Sequence, residues 1–424
     1  MGDKLKAVIL AAGKGVRMKS DMPKVLFEAN GMPLLWYPMR AAAEAGADEI
    51  IVVVGAGREH VEEAFGKERV TWALQESQRG TGHAVMCARG ALEGFQGCVV
   101  VLCGDAPLVR PETIKHLHSR LLETGASCTV LTSNVTDPTG YGRIVRGDSG
   151  VSAIVEEKDA SDSEKAIREI NSGAYCFRWA DLDGVLDDLS DQNAQGEYLL
   201  TDALALLLEA GRRVEAVVCK DAEEALGVNT RAGLAEVSKV LRERVCRRLM
   251  DDGVTIVDPD SAFIDPRAEI GTDTVINPFV VIEGPVRIGM RCRIGPFTHI
   301  RGASELGDGV SVGNFVELVR TTLGAGSRAR HLSYVGDAKV AGEVNIAAGA
   351  ITANSDGKMR YLTEIGEGAM VGAGTVLVAP CRVERGAVTG AGAVLTKGKS
   401  VPAGSVWVGV PARPLEKGAR KSDG

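Results

Sequence analysis

The chain has 424 residues, too many for one ordinary hydrophobic core, so two or three domains are expected. Its 45% hydrophobic and 25% charged residues are those of a soluble globular protein, and a net charge of −7 argues against a nucleic-acid partner. The 52 glycines beside only 4% aromatics point to tight repeating turns and to cores of small and branched aliphatic side chains.

The nine cysteines (Cys87, Cys98, Cys103, Cys128, Cys176, Cys219, Cys246, Cys292 and Cys381) are scattered, with no CxxC pair. Neither a zinc site nor a dithiol redox site is signalled, and unpaired thiols suit a reducing compartment. The apolar run in MGDKLKAVILAAG is too short for a signal peptide or a membrane span, and Lys6 breaks the myristoylation pattern. The expectation is a cytoplasmic protein with no membrane insertion.

Residues 1–230 alternate short β-branched runs with amphipathic stretches. LKAVILAA, DEIIVVVGA, GCVVVLCGD and RRVEAVVC read as strands of a largely parallel sheet buried on both faces. Segments 33–46 and 111–124 read as helices, the second opening on Pro111, which suits a first turn. This predicts a doubly wound α/β domain. Residues 231–252 predict a charged connecting helix.

From residue 253 to 413 the pattern changes. Ile264, Ile270, Ile276, Ile282, Ile288, Ile294, Ile300, Leu306, Val312 and Leu318 recur at a spacing of six. The frame returns at Val340 and Ile346, and again at Ile365, Val371, Leu377 and Val383, and many of these residues precede a glycine. Such a period fits a parallel β-helix, with each aliphatic residue pointing into the coil and small residues at the corners. The frame breaks at 319–333 and 352–364 are expected to bulge outward. Residues 414–424 read as a basic tail.

The loop after the first strand combines Gly13 and Gly15, which allow close backbone approach to an anion, with Lys14, Arg17 and Lys24. It lacks the third glycine of a dinucleotide fingerprint and the GK[ST] of a Walker loop. Its place at the carboxyl end of a first strand is where α/β sheets hold ligands.

LAAGKGVRMKSDMPKVL resembles the signature of sugar-1-phosphate nucleotidyltransferases. Almost the whole chain resembles the bacterial family of bifunctional N-acetylglucosamine-1-phosphate uridylyltransferase/glucosamine-1-phosphate acetyltransferases. The further matches, in order, are QESQRGTGHA (75–84), LCGDAPL (102–108), DPTGYGRI (137–144), VEEKDA (155–160), EINSGAY (169–175), NAQGEYLLTD (193–202) and GVNTR (227–231). Val16 departs from the usual threonine.

The resemblance implies a nucleotidyltransferase domain followed by a left-handed β-helix that forms homotrimers. It implies UTP and N-acetylglucosamine 1-phosphate as substrates, held by Leu10, Ala11, Ala12, Gly13, Lys14, Gln75, Gly80, Thr81, Cys103 and Gly104. Gln75 with the Gly80–Thr81 backbone would read the base. Gly142, Glu156, Asn171 and Thr201 would receive the amino sugar. Asp105 and Asn229 would hold Mg²⁺, and Arg17 and Lys24 would act catalytically by neutralising phosphate charge.

For the second site the resemblance implies His331 as general base, with Arg301, Tyr334, Asn345, Asn354, Arg360 and Ala373 at binding positions. Departures cluster here. Val319 replaces a phosphate-binding lysine, Ser355 a tyrosine, Ala347 a glycine and Ala373 a serine, while Arg360 replaces a lysine. Arg320 next door is expected to face away. Acetyl transfer is therefore expected to be weak or absent, and acetyl-CoA is a cofactor only where that site works. The alternatives are a fully bifunctional enzyme and a non-catalytic assembly or regulatory subunit. Intact Asp105, Asn229, Arg17 and Lys24 oppose the latter.

Overall fold

A computed structural model describes residues 4–147 and 150–415. The chain divides into two compact units, residues 1–240 and 241–424. No helix among the described residues is long and apolar enough to cross a membrane.

The first unit is built on one twisted sheet. Its strands are β1 (Leu5–Leu10), β2 (Glu49–Val54), β3 (Thr71–Leu74), β4 (Cys98–Cys103), β5 (Cys128–Asn134), β6 (Arg143–Gly147), β7 (Gly150–Val155), β8 (Glu169–Arg178) and β9 (Val214–Val218). The order is β9-β5-β8-β4-β1-β2-β3, with β6 pairing β8 and β7 beyond it. β1, β2, β3 and β4 pair in parallel, as do β5 and β9, whereas β8 runs antiparallel between β4 and β5. The sheet is mostly parallel, as its β-branched runs predict.

Both faces are covered, which is why central strands such as β2 (EIIVVV) and β4 (CVVVLC) carry nearly unbroken apolar runs instead of alternating. Helices α1 (Trp36–Glu44), α2 (Arg58–Phe65) and α4 (Pro111–Thr124) cover one face through Met39, Ala42, Val61, Phe65, Ile114 and Leu117. Helices α3 (Thr81–Cys87) and α5 (Leu200–Glu209) cover the other through Ala84, Val85, Leu200, Ala203 and Leu207. The strand order reverses at β1 and β4. The crevice at their carboxyl ends is therefore the ligand position of this architecture. Helix α6 spans Arg231–Asp251, close to the expected 231–252.

In the second unit, short strands wind into three sheets in which each strand pairs in parallel with the third strand after it, up to a last strand (Arg413–Pro414) that pairs antiparallel with Val406–Val408. This is the left-handed β-helix expected from the six-residue period. Ile276, Ile294, Val312, Ala329 and Ile346 stack inward on the first face. Ile264, Ile282, Ile300, Leu318 and Val335 do so on the second, and Ile270, Ile288, Leu306, Leu323 and Val340 on the third. The interior is one continuous aliphatic core, onto which Val245, Cys246 and Leu249 of α6 pack. Glycine after an inward residue has a steric cause. A Cβ on Gly313 would stand 2.2 Å from the Arg330 carbonyl oxygen of the next coil, so only glycine lets the coils stack at strand spacing.

One expectation is corrected. Residues 319–333 do not bulge: Leu323 and Ala329 point inward and are buried, and strands Thr322–Leu323 and Arg328–His331 lie on the coil. The frame breaks because corners are one residue shorter. Where Gly302 and Ala303 together turn the chain between the second and third faces, Arg320 alone does so one coil on, and Asp337 after that; all four have positive φ. The second break does leave the coil. After Thr352, whose buried hydroxyl bonds both the N–H and the carbonyl of Gly336, residues 354–362 form a loop closed by an antiparallel bridge between Ser355 and Arg360. Of the basic tail, residues 416–424 lie outside the described residues.

Candidate active sites

The loop leaving β1 carries Leu10 through Gly15 across the sheet edge. Its backbone is tied down by Ala11 N–H donating to Val53 (2.8 Å) and Gly104 N–H to Leu10 (2.9 Å), while the Gln78 amide donates to the Ala12 carbonyl. Gly13 is exposed, and a Cβ there would meet nothing within 4 Å, which leaves its amide open to an approaching anion. Gly15 has φ +61°, and a Cβ would press on the Lys24 side chain at 2.6 Å. Glycine here lets Lys24 fold under the loop. Lys14, Val16 and Arg17 are exposed.

Four of the predicted residues converge. The Lys24 ammonium donates to the Asp105 carboxylate and to Asn229 Oδ1 (3.2 Å), and Arg17 Nη2 donates to the same Oδ1 (2.8 Å). The Val228 N–H bonds the Asp105 carbonyl (2.8 Å), which pins Asn229 beside the end of β4. One carboxylate and one amide oxygen thus already face a shared positive charge. That donor pair suits a hard divalent cation whose remaining positions go to water and phosphate. No cluster of three or more His, Cys, Asp or Glu able to hold a metal occurs among the described residues.

A second group surrounds Glu156. Thr201 Oγ1 donates to its carboxylate (3.2 Å), and a Cβ on Gly142 would stand 3.5 Å from both Glu156 oxygens. Burial, with Asp202 and Asp159 adding repulsion, raises the Glu156 pKa above the ordinary carboxylate value despite the Thr201 bond. Its neighbour Glu157 takes a different part, pairing with the buried Arg143 (2.6 Å). Asn171 is already engaged, donating to the Tyr175 hydroxyl (2.6 Å) and accepting from Gly173 N–H (3.0 Å). Cys103 lies against Gly173, and burial followed by Asp105 repulsion pushes its thiol up to about 12.

At the third group, Gln75 is buried and its amide donates to the Gly80 carbonyl (3.0 Å). Gly80 has φ +108°, and a Cβ would collide with the Tyr198 carbonyl oxygen at 2.4 Å. Thr81 Oγ1 accepts from Leu200 N–H (2.9 Å), which locks this turn onto the start of α5. Sequence reasoning missed His83, whose Nδ1 lies 3.0 Å from the Gln75 amide nitrogen. It stands inside the RGTGHA match, one helical turn after the glycine, and that spacing could have flagged it.

On the β-helix the predicted second-site residues occupy two edges of the prism. Arg301 and Asn354 lie at the corner between the second and third faces, and Arg360 in the loop that leaves it. Arg301 pairs with Glu317 (2.7 Å), and Asn354 donates to Asp337 (2.5 Å). His331 and Ala373 lie at corners between the first and second faces, with Asn345 on the first face and Tyr334 on the second. His331 and Asn345 are exposed. Val319 is 1% exposed, packed into the wall where a cation would be needed. Arg320 is not a strand residue but a corner residue with φ +51°, and it forms a two-pronged pair with Asp337 (2.6 and 2.9 Å), the carboxylate to which Asn354 also donates.

The fold and the first site define a nucleotidyltransferase of the MobA-like NTP transferase class, whose family matches residues 7–168. The bacterial transferase hexapeptide family matches residues 267–302 and 285–320. The Bifunctional protein GlmU of Heliobacterium modesticaldum is 45% identical, over 96% of this chain and 95% of its own length; that of Syntrophotalea carbinolica is 45% identical over 90% of each. The GlmU protein of Halalkalibacterium halodurans is 43% identical over 89% of this chain and 90% of its own. The chain belongs to the bifunctional GlmU family. It is a uridylyltransferase that forms UDP-N-acetylglucosamine, and its class uses a metal cofactor with nucleotide and sugar-phosphate substrates.

Proposed function

We propose that residues 1–230 transfer UMP from UTP to N-acetylglucosamine 1-phosphate with Mg²⁺, that 231–252 form a connector, and that 253–413 form a trimerising β-helix. The observation that supports the first part best is the meeting of Lys24, Arg17, Asp105 and Asn229 at the carboxyl ends of β1 and β4. A sugar-phosphate oxygen attacks the α-phosphorus of UTP in line, and pyrophosphate leaves. That oxygen is already ionised near neutral pH, so no residue need act as a base. Lys14, Arg17, Lys24 and the amides around Gly13 bind and orient the triphosphate, and the two basic side chains on Asp105 and Asn229 are placed to follow its charge. Asp105 and Asn229 would hold Mg²⁺, which supplies further neutralisation of that charge. Glu156, Thr201, Gly142 and Asn171 form the sugar pocket; Gln75, Gly80 and Thr81 form the base pocket. Pyrophosphate release measured over a matrix of nucleoside triphosphates and sugar 1-phosphates tests this. A preference for any pair other than UTP with N-acetylglucosamine 1-phosphate would overturn it.

The homotrimer reading is supported by an uneven prism. Phe279, Phe297 and Phe315 stack along the edge between the first and second faces, with ring centroids 4.8 and 5.0 Å apart, and Leu332 continues the row. All four are about half exposed or more, whereas a chain alone would be expected to cover such a ridge. The third face instead carries a charge ladder through Glu269, Arg287, Glu305, Lys339, Glu364 and Arg382, paired at 3.3 Å (Arg287–Glu269) and 3.1 Å (Arg382–Glu364). We place the aromatic edge toward neighbouring subunits and the ladder toward solvent. The acetyltransferase we take to be weak, because Val319 is buried and both neighbouring arginines are paired with carboxylates. None of the nine cysteines forms a disulfide, which supports a reducing, cytoplasmic setting.

A further inference from the structure

A glutamine amide presents nitrogen at one end and oxygen at the other, nearly equal in size, so its neighbours decide which end faces a ligand. Gln75 is 3% exposed, and its Nε2 lies 3.0 Å from the Gly80 carbonyl oxygen. A carbonyl can only accept, so the amide atom facing it must be the N–H₂. The turn holding that carbonyl is fixed by Gly82 N–H bonding Tyr198 (2.8 Å) and Tyr198 N–H bonding Arg79 (2.7 Å). The same Nε2 lies 3.0 Å from His83 Nδ1. With nitrogen already assigned, Nδ1 must be an accepting lone pair and the imidazole proton must sit on Nε2. Cys87 Sγ, 3.9 Å from Nε2, is placed to receive it. Burial, with the Arg79 cation next, holds the His83 pKa below the ordinary imidazole value, which favours this neutral form.

Both hydrogens of the Gln75 amide are thus directed into the protein, and the carbonyl oxygen is the end used by neither bond. We propose that His83 is a positioning residue for base selectivity: by accepting from Gln75 it keeps that oxygen turned toward the base. Uracil offers an N–H at ring position 3 to such an oxygen. Cytosine offers a lone pair there and is repelled. The proposal rests on the uridylyltransferase reading and on Gln75 facing the base.

The test compares kcat/KM for UTP and CTP, with N-acetylglucosamine 1-phosphate, in the full chain and in two variants. His83→Phe keeps a ring but removes the acceptor; His83→Asn keeps an oxygen able to accept. One lost hydrogen bond corresponds to about tenfold. The UTP-to-CTP preference is expected to fall about tenfold in His83→Phe and to be largely retained in His83→Asn. Equal losses for both nucleotides in His83→Phe, with the preference unchanged, would mean that His83 only packs, and would sink the proposal while leaving uridylyl transfer standing. A wild-type enzyme that uses UTP and CTP equally would overturn it too, and one that uses neither overturns the underlying reading with it. Nitrogen NMR of histidine-labelled wild-type protein supplies a readout independent of any variant's folding. His83 should show an unprotonated Nδ1 and a protonated Nε2; the opposite tautomer rules the proposal out.

Discussion

The two units hold their chemistry in opposite ways. In the first, a general α/β sheet delivers single residues from far apart in the chain to one crevice, and those residues lean on one another: Lys24 on Asp105 and Asn229, Thr201 on Glu156, His83 on Gln75. In the β-helix the scaffold repeats, and at the edge between the second and third faces the polar side chains lean on carboxylates of the coil itself, Arg301 on Glu317, and Arg320 and Asn354 on Asp337. A site whose members pair with each other is poised to exchange partners when ligand arrives. One whose members pair with the wall has less to offer.

The largest effect expected on this contrast is at Asp105. Asp105→Asn should lower UDP-N-acetylglucosamine formation by about a hundredfold or more, the size usual for losing a charge-stabilising group, with an unchanged melting curve. Near-normal turnover at limiting Mg²⁺ would show that the carboxylate does not hold the metal. In the β-helix the matching cut is in the core. Ile300→Ala should cost about 2–5 kcal/mol of stability, read by denaturant unfolding. At temperatures where the variant stays folded, uridylyl transfer should be unaltered, and a comparable loss of transfer would show that the units are not independent in function.

A subtler probe is the aromatic edge. Phe297→Glu places a charge in the middle of the stack and should shift light-scattering mass from three chains toward one at micromolar concentration, leaving uridylyl kcat within about twofold. A variant that remains trimeric would remove this edge from the interface. For acetyl transfer, CoA release with glucosamine 1-phosphate should be weak and nearly the same in His331→Ala. Robust release abolished by that change would restore full bifunctionality.

The smallest effect is a pH shift. The Glu156 pKa is raised, mainly by burial, and the carboxylate is the form that accepts hydrogen bonds from a sugar. As pH falls, Glu156 should therefore lose its charge sooner than an ordinary carboxyl, and KM for the sugar phosphate should climb. Glu156→Gln should flatten that part of the profile; the phosphate's own ionisation is common to both proteins. Identical profiles would remove Glu156 from the pocket.

The β-helix could be read from sequence because an inward position recurs every sixth residue and glycine follows where a neighbouring coil leaves no room for a Cβ. The one failure, at 319–333, arose because a corner can shorten without disturbing the faces, so a search for a fixed period loses Leu323 and Ala329 although they stack in order. In the first unit β1, β2, β4 and β9 were legible as short apolar runs, whereas the parallel strands β3 and β5 were not singled out. Nor was the antiparallel β8, since EINSGAYCFR carries its pocket residues and polar side chains inside a buried strand. Asp105 and Lys24 could be named from local motifs. The spacing in RGTGHA could have flagged His83 but not its part, which depends on which end of a buried amide is free, and that is decided in space by Gly80.

The shortened corners also bear on how such a fold changes over generations. In most sheets the loss of one residue slips the register and turns side chains to the wrong side. Here the loss of one residue is absorbed where Arg320 replaces two residues, and every inward side chain beyond it stays inward. Length can therefore vary at an edge of the prism without being felt by the next coil. The nine-residue excursion at 354–362 sits on that same edge. Edges of this helix are free to gain and lose residues while its interior stays fixed, so new surface chemistry there can arise by insertion and deletion as readily as by exchange of one side chain for another.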